Sequence, residues 1–148
     1  SGILVTPFSG IYCATKAALH AATDALRMEL APFNIDVVLI QPGAIESEFG
    51  SNAEASLSRT FDNQSLYHDV KEGILKRARA SQQNPTSTGE FVETLIRLLE
   101  KRHSPALARI GNGSTALPAM ERWLPLPVRD FILKRTFGLH RLKLREPK

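Results

Sequence analysis

The chain has one cysteine, Cys13, in 148 residues. A single thiol excludes an internal disulfide, which fits a reducing compartment. Its neighbours Tyr12 and Ala14 offer no base, so Cys13 reads as a small packing residue. Long apolar runs are also missing: nothing reaches the ~18 apolar residues of a membrane-spanning helix. The opening Ser1-Gly2-Ile3-Leu4-Val5-Thr6-Pro7 lacks the charged and apolar regions of a signal peptide. A cytoplasmic setting is therefore expected. His20, His68, His103 and His140 are scattered without the paired spacing of a metal site, and no metal is expected. None of the nine glycines stands in the strand, turn and helix setting that holds a pyrophosphate.

What is present is an ordinary globular composition, 43% hydrophobic and 23% charged, long enough for one domain with a core. The formal charge of +4 is unevenly spread. From Arg97 onward there are 12 Lys/Arg against 4 Asp/Glu, a balance of +8, which leaves −4 before it. Nucleic acid is not expected, because these cations are not interleaved with aromatic stacking positions. At the far end, Phe131 to Arg145 mixes leucines with cations. An ordinary helix with a solvated tail is the favoured reading there. The other is weak contact with an anionic membrane surface, a peripheral attachment.

Chemistry concentrates in Ser9-Gly10-Ile11-Tyr12-Cys13-Ala14-Thr15-Lys16. Tyr12 and Lys16 are four apart, so a helix stacks them on one face. A phenol ionises near pH ~10, and a neighbouring ammonium stabilises its phenolate. Such a pair can exchange a proton with a carbonyl or alcohol oxygen.

Around this pair, Tyr12 to Leu30 predicts a long alanine-rich helix with Ser9 as N-cap and Pro32 as its stop. Its many alanines let backbones approach on more than one face, so it is expected between the sheet and another helix. Asn34 to Gln41 predicts a strand buried on both faces. Helix then strand is half of a βαβ unit and implies a parallel sheet, with ligands beyond the carboxyl ends of its strands, where Pro42-Gly43 falls. From Glu48 to about Asn84 the pattern weakens into an irregular stretch holding one helix, Val70 to Ala80. Thr86 to Glu90 starts another helix whose buried stripe is Phe91, Val92, Leu95, Ile96, Leu98 and Leu99. Pro105 to Gly111 reads as a second strand, and Val128 to Thr136 as a last helix.

The series Pro7-Phe8-Ser9-Gly10, Tyr12-x-x-x-Lys16, Ala17-Ala18-Leu19, Asp24 to Leu30 and Pro42-Gly43-Ala44-Ile45-Glu46-Ser47 resembles the second half of a short-chain dehydrogenase/reductase. The likeness runs from Ser1 to about Ser47; the later Leu117-Pro118 ending is loosely similar to the steroid- and retinol-type branch. The resemblance implies the α/β class: the carboxyl-terminal half of a Rossmann-like, doubly wound parallel sheet, incomplete in this chain. Residues 1–148 would form part of one such domain, without its amino-terminal dinucleotide-binding half.

It further implies hydride transfer between NAD or NADP and a carbonyl or secondary alcohol. Tyr12 and Lys16 would be catalytic, with Lys16 also binding the nicotinamide ribose. Pro42, Gly43, Ile45 and Ser47 match the PGxIxT segment that seats the nicotinamide; Ser47 keeps threonine's hydroxyl without its methyl. The family's catalytic serine would fall just before Ser1, and Ser1 is too close to Tyr12 to replace it. The region after Ser47 would cover the substrate; its aromatics and leucines either line a pocket for an apolar compound of steroid, retinoid or lipid type or pin the loop to the core. The Tyr12–Leu30 helix would pair subunits in a homodimer or homotetramer. A non-catalytic scaffold of the same fold is the alternative. The 148 residues alone are expected to be inactive.

Overall fold

A computed structural model describes residues 2–62 and 64–142. Ser1 and the last part of the basic end, 143–148, lie outside the described residues.

The first helix, α1 (Gly10–Leu30), starts two residues before the expected one. Ser9 occupies the N-cap position, but its hydroxyl makes no cap bond; its carbonyl accepts from the Cys13 N–H at 2.8 Å. Cys13 is a packing residue as expected: it and Leu4 of the preceding loop are each only 1% exposed. Pro32 in a 3₁₀ turn and left-handed Asn34 (φ 57°) then reverse the chain.

The strand that follows is shorter than the apolar run implied. β1 covers Leu39–Pro42, with Leu39 to Gln41 half-buried and Ile35 and Asp36 exposed, not a strand from Asn34 buried on both faces. Burial on both faces needs a layer over each. Among the described residues β1 pairs on one side only, with β2 (Leu107–Ile110), in parallel and with Leu39 opposite Leu107. The parallel sheet and the strand near Leu107 are as expected, and Ala108 and Ile110 are buried.

Between the strands lie α2 (Phe49–Thr60), α3 (Lys71–Arg79) and α4 (Thr88–Leu99); after them come α5 (Ala116–Trp123) and α6 (Leu126–Thr136). α2 falls in the stretch expected to be irregular. Its Ser and Asn residues are poor helix formers, yet Ala53 and Leu57, four apart, turn half-buried toward α3, and packing overrides propensity. α4 starts as expected: the Ser87 hydroxyl accepts from the Glu90 N–H at 3.2 Å, a cap worth about 1 kcal/mol. Its stripe is not buried throughout. Leu98 is buried near β2, Phe91 and Leu95 are half-buried, and Val92, Ile96 and Leu99 are exposed. α5 was not expected; Pro118 sits in its first turn, where a missing N–H costs nothing.

The second expected layer on α1 is not supplied within the described residues. β1 packs on one side of α1, while Ile11, Leu19, Leu26 and Met28 stay exposed. No helix among the described residues is long and apolar enough to cross a membrane.

The end of α6 docks on α3 through Gly73, where an added Cβ would lie 1.9 Å from the Phe137 carbonyl oxygen. Phe137 and Val70 are buried beside this approach. Gly73→Ala should therefore destabilise the complete protein by about 2 kcal/mol, since overpacking against backbone has no side chain to yield. Thermal melts of Gly73→Ala beside Gly89→Ala, which meets nothing within 4 Å, check this. Equal melting temperatures would contradict the close approach.

Candidate active site

Tyr12 stands in the first turn of α1 and Lys16 one turn later, both half-buried. The Lys16 Nζ lies 5.5 Å from the centre of the Tyr12 ring. The helix thus stacks the two side chains on one face, with the ammonium over the ring. The Phe49 ring, at the start of α2, lies 5.5 Å from the Tyr12 ring at a 39° tilt.

Tyr12 opens onto a cleft of about 300 Å³, at the lower end of the range for small-molecule sites. Phe8, Tyr12, Phe49, Leu57 and Ile74 give it apolar walls, and Arg77 reaches it from α3. Phe8 holds a left-handed backbone (φ 63°), rare for an aromatic residue, and meets Tyr67 edge to face at 6.0 Å. The two helical walls, α2 and α3, are clamped by a forked ion pair. Arg79 donates to Glu54 through Nε at 2.8 Å and through a second bond from its terminal nitrogen. This hydrogen bonding holds the Glu54 carboxyl below the usual carboxylate range.

Pro42, Gly43, Ile45 and Ser47 lie at and beyond the carboxyl end of β1, as expected. Gly43 has an internal reason to be glycine: an added Cβ would lie 2.1 Å from the Asn112 carbonyl oxygen. The turn is sewn into the fold. The Gly43 N–H donates to Ile110 O (2.8 Å), Ala44 N–H to Asn112 O (2.7 Å) and Glu46 N–H to Thr86 O (2.9 Å). Ile45 Cδ1 fills the space that a side chain on Gly111 would take. Pro42 and Ser47 are exposed, and the Ser47 hydroxyl accepts from Gln82 Nε2 at 3.4 Å.

β1 returns along α1, so the start of α1 and the end of β1 share one end of the structure. Phe49, two residues past Ser47, touches Tyr12. No hydrogen bond joins Tyr12 or Lys16 to Pro42–Ser47 among the described residues, and of the predicted site residues only Tyr12 lines the cleft. Sequence reading missed the cleft's α3 wall. Its signal was Ile74, Arg77 and Ala78 at helical spacing, an apolar face interrupted by one cation.

Residues 2–58 match the family model of the short chain dehydrogenases. Among curated relatives, a 3-ketodihydrosphingosine reductase of Bacteroides thetaiotaomicron is 27% identical over 139 residues, 93% of this chain and 51% of that protein. Short-chain dehydrogenase RED1 of Pyricularia oryzae is 26% identical over 141 residues, 95% and 49% of the two chains. An NADPH-dependent 3-dehydrocapnine reductase of Ornithobacterium rhinotracheale is 40% identical over 55 residues, 37% and 19% of the two chains. These matches support a likeness to the short-chain dehydrogenase/reductase family, strongest over residues 2–58. It spans about half the length of the first of these relatives.

The clamp between the cleft walls has a pH signature. Glu54 ionises more readily folded than unfolded, so its stabilisation is present above the ordinary glutamate value of about 4.3 and fades as pH falls through the lower folded value. Glu54→Gln should flatten the acid limb of a melting-temperature profile taken from pH ~6 to ~3. Superimposable acid limbs for the variant and the parent protein would remove the clamp from the account.

Proposed function

We propose that this chain supplies the proton-transfer and substrate side of a nicotinamide-dependent oxidoreductase acting on a carbonyl or secondary alcohol. The observation that carries the reading is Tyr12 lining an apolar cleft with the Lys16 ammonium beside its ring. Tyr12 gives its phenolic proton to a carbonyl oxygen as hydride reaches the carbon, or takes a proton from an alcohol in the reverse direction. Lys16 stabilises the negative charge left on the phenol oxygen.

Bound NAD or NADP would supply or accept the hydride. The residues fit its nicotinamide end: Ser47 and Pro42 are both exposed at and beyond the carboxyl end of a parallel strand, and Ser47 carries a hydroxyl. Gly43 and Ile45 hold that turn, and Lys16 would reach the ribose. The apolar walls favour a steroid-, retinoid- or lipid-like compound, consistent with relatives named as 3-ketodihydrosphingosine and 3-dehydrocapnine reductases. The cytoplasm is the proposed setting, and residues 1–148 the carboxyl-terminal part of one domain.

Tyr12→Phe in the complete protein should abolish turnover and leave cofactor affinity nearly unchanged, since one hydroxyl is lost. Lys16→Ala should reduce both. Steady-state rates across the pH range and a fluorescence titration with reduced dinucleotide read these effects; a Tyr12→Phe variant keeping most of the parent rate would sink the assignment.

A second reading, a subunit-pairing scaffold without catalysis, draws on the exposed Leu19 and Leu26, seven apart on α1. The same face would pair subunits in an active homodimer or homotetramer. Leu19→Glu with Leu26→Glu should lower the sedimentation coefficient of the complete protein; an unchanged value would exclude α1 from the interface.

A further inference from the structure

Arg77 is the one charged side chain lining the cleft among the described residues. Its Nε donates to the Thr6 hydroxyl at 2.6 Å, and Thr6 is itself buried. That bond engages one edge of the guanidinium plane, and among the described residues its terminal nitrogens have no hydrogen-bond partner. Arg27, Arg79, Arg97 and Arg129 each sit against a carboxylate; Arg77 has none within ion-pair distance among the described residues. A half-buried cation held rigidly in an apolar surround, with no internal counter-charge, is poised for an anion.

We infer that Arg77 selects substrates carrying an acidic oxyanion group on an apolar body. The oxyanion would take the guanidinium fork while Phe8, Phe49, Leu57 and Ile74 cover the hydrocarbon part. This rests on the reading of Tyr12 as the proton-transfer group. A neutral ligand of equal length leaves the cation unpaired, and sites built to pair a polar group reject partners that lack it. Thr6 acts as a positioning residue, holding the fork where the anion arrives.

The test uses the complete protein with reduced dinucleotide and a panel of medium-chain oxo-carboxylic acids, each beside its methyl ester. The parent protein should favour acid over ester by about tenfold or more in kcat/KM, through KM. Arg77→Gln should abolish that preference by raising KM for the acids, with a thermal melt reporting whether the variant folds. Arg77→Lys, keeping charge without the fork, should hold an intermediate preference and covers the case in which Arg77→Gln does not fold. Calorimetric titration with octanoate and with octan-1-ol reads the same discrimination without turnover. Equal handling of acid and ester by the parent protein, or a preference that survives in Arg77→Gln, would overturn the assignment. Preferential octanoate binding with no turnover of any ketone would support Arg77 and count against hydride transfer.

Discussion

The parallel pairing of β1 with β2, and its continuation past the strand ends, is the constraint on which the site depends. Four residues of ladder are extended by hydrogen bonds from Gly43, Ala44 and Glu46 to Ile110, Asn112 and Thr86. Asn112 is the junction. Its carbonyl accepts from Ala44, its N–H donates to the Thr86 hydroxyl at 2.9 Å, and its side-chain amide donates to Asn84 O at 3.0 Å. Each such bond contributes only about 1 kcal/mol net. Their common effect is geometric: they fix the direction in which the chain leaves β1, and so where Phe49 meets Tyr12.

The cleft follows from that direction. α2 begins at Phe49 and lies along α3, and the Glu54–Arg79 fork closes the pair at the surface. Aromatic side chains cluster at the mouth: Phe8 against Tyr67, Phe49 against Tyr12. The proton-transfer candidate is thus held by packing at the edge of an apolar space, a setting in which a positioned hydroxyl is more effective than in open water.

Much of this was legible in the sequence because it is local. The Tyr12–Lys16 face, the Ser87 cap and the helix stop at Pro32 need only neighbours along the chain. The two strands were legible from their apolar composition and bounding prolines and glycines, and their parallel order from the helix between strand-like runs. What escaped was set by partners distant in sequence. Strand length depends on what lies opposite residues 34–38, and α2 on burial against α3 that its Ser-rich composition hides. Gly43 and Arg77 show the same divide. Gly43 falls where a ligand is expected, and its tightest neighbour is a carbonyl of this chain; Arg77 comes to the cleft only through the placing of α3.

The junction at Asn112 also dictates an order of assembly. Gln41 and Arg109, which face each other across the sheet, are 68 residues apart. On a chain emerging from the ribosome, α1 can form at once, whereas the turn after β1 lacks its partners Ile110 and Asn112 until β2 and the residues after it have been synthesised. Long-range closure of this kind is slow compared with helix growth. α1 is therefore early in the life of the molecule and the turn after β1 late, and in the interval the edge of β1 that β2 will cover is open to any other strand that finds it.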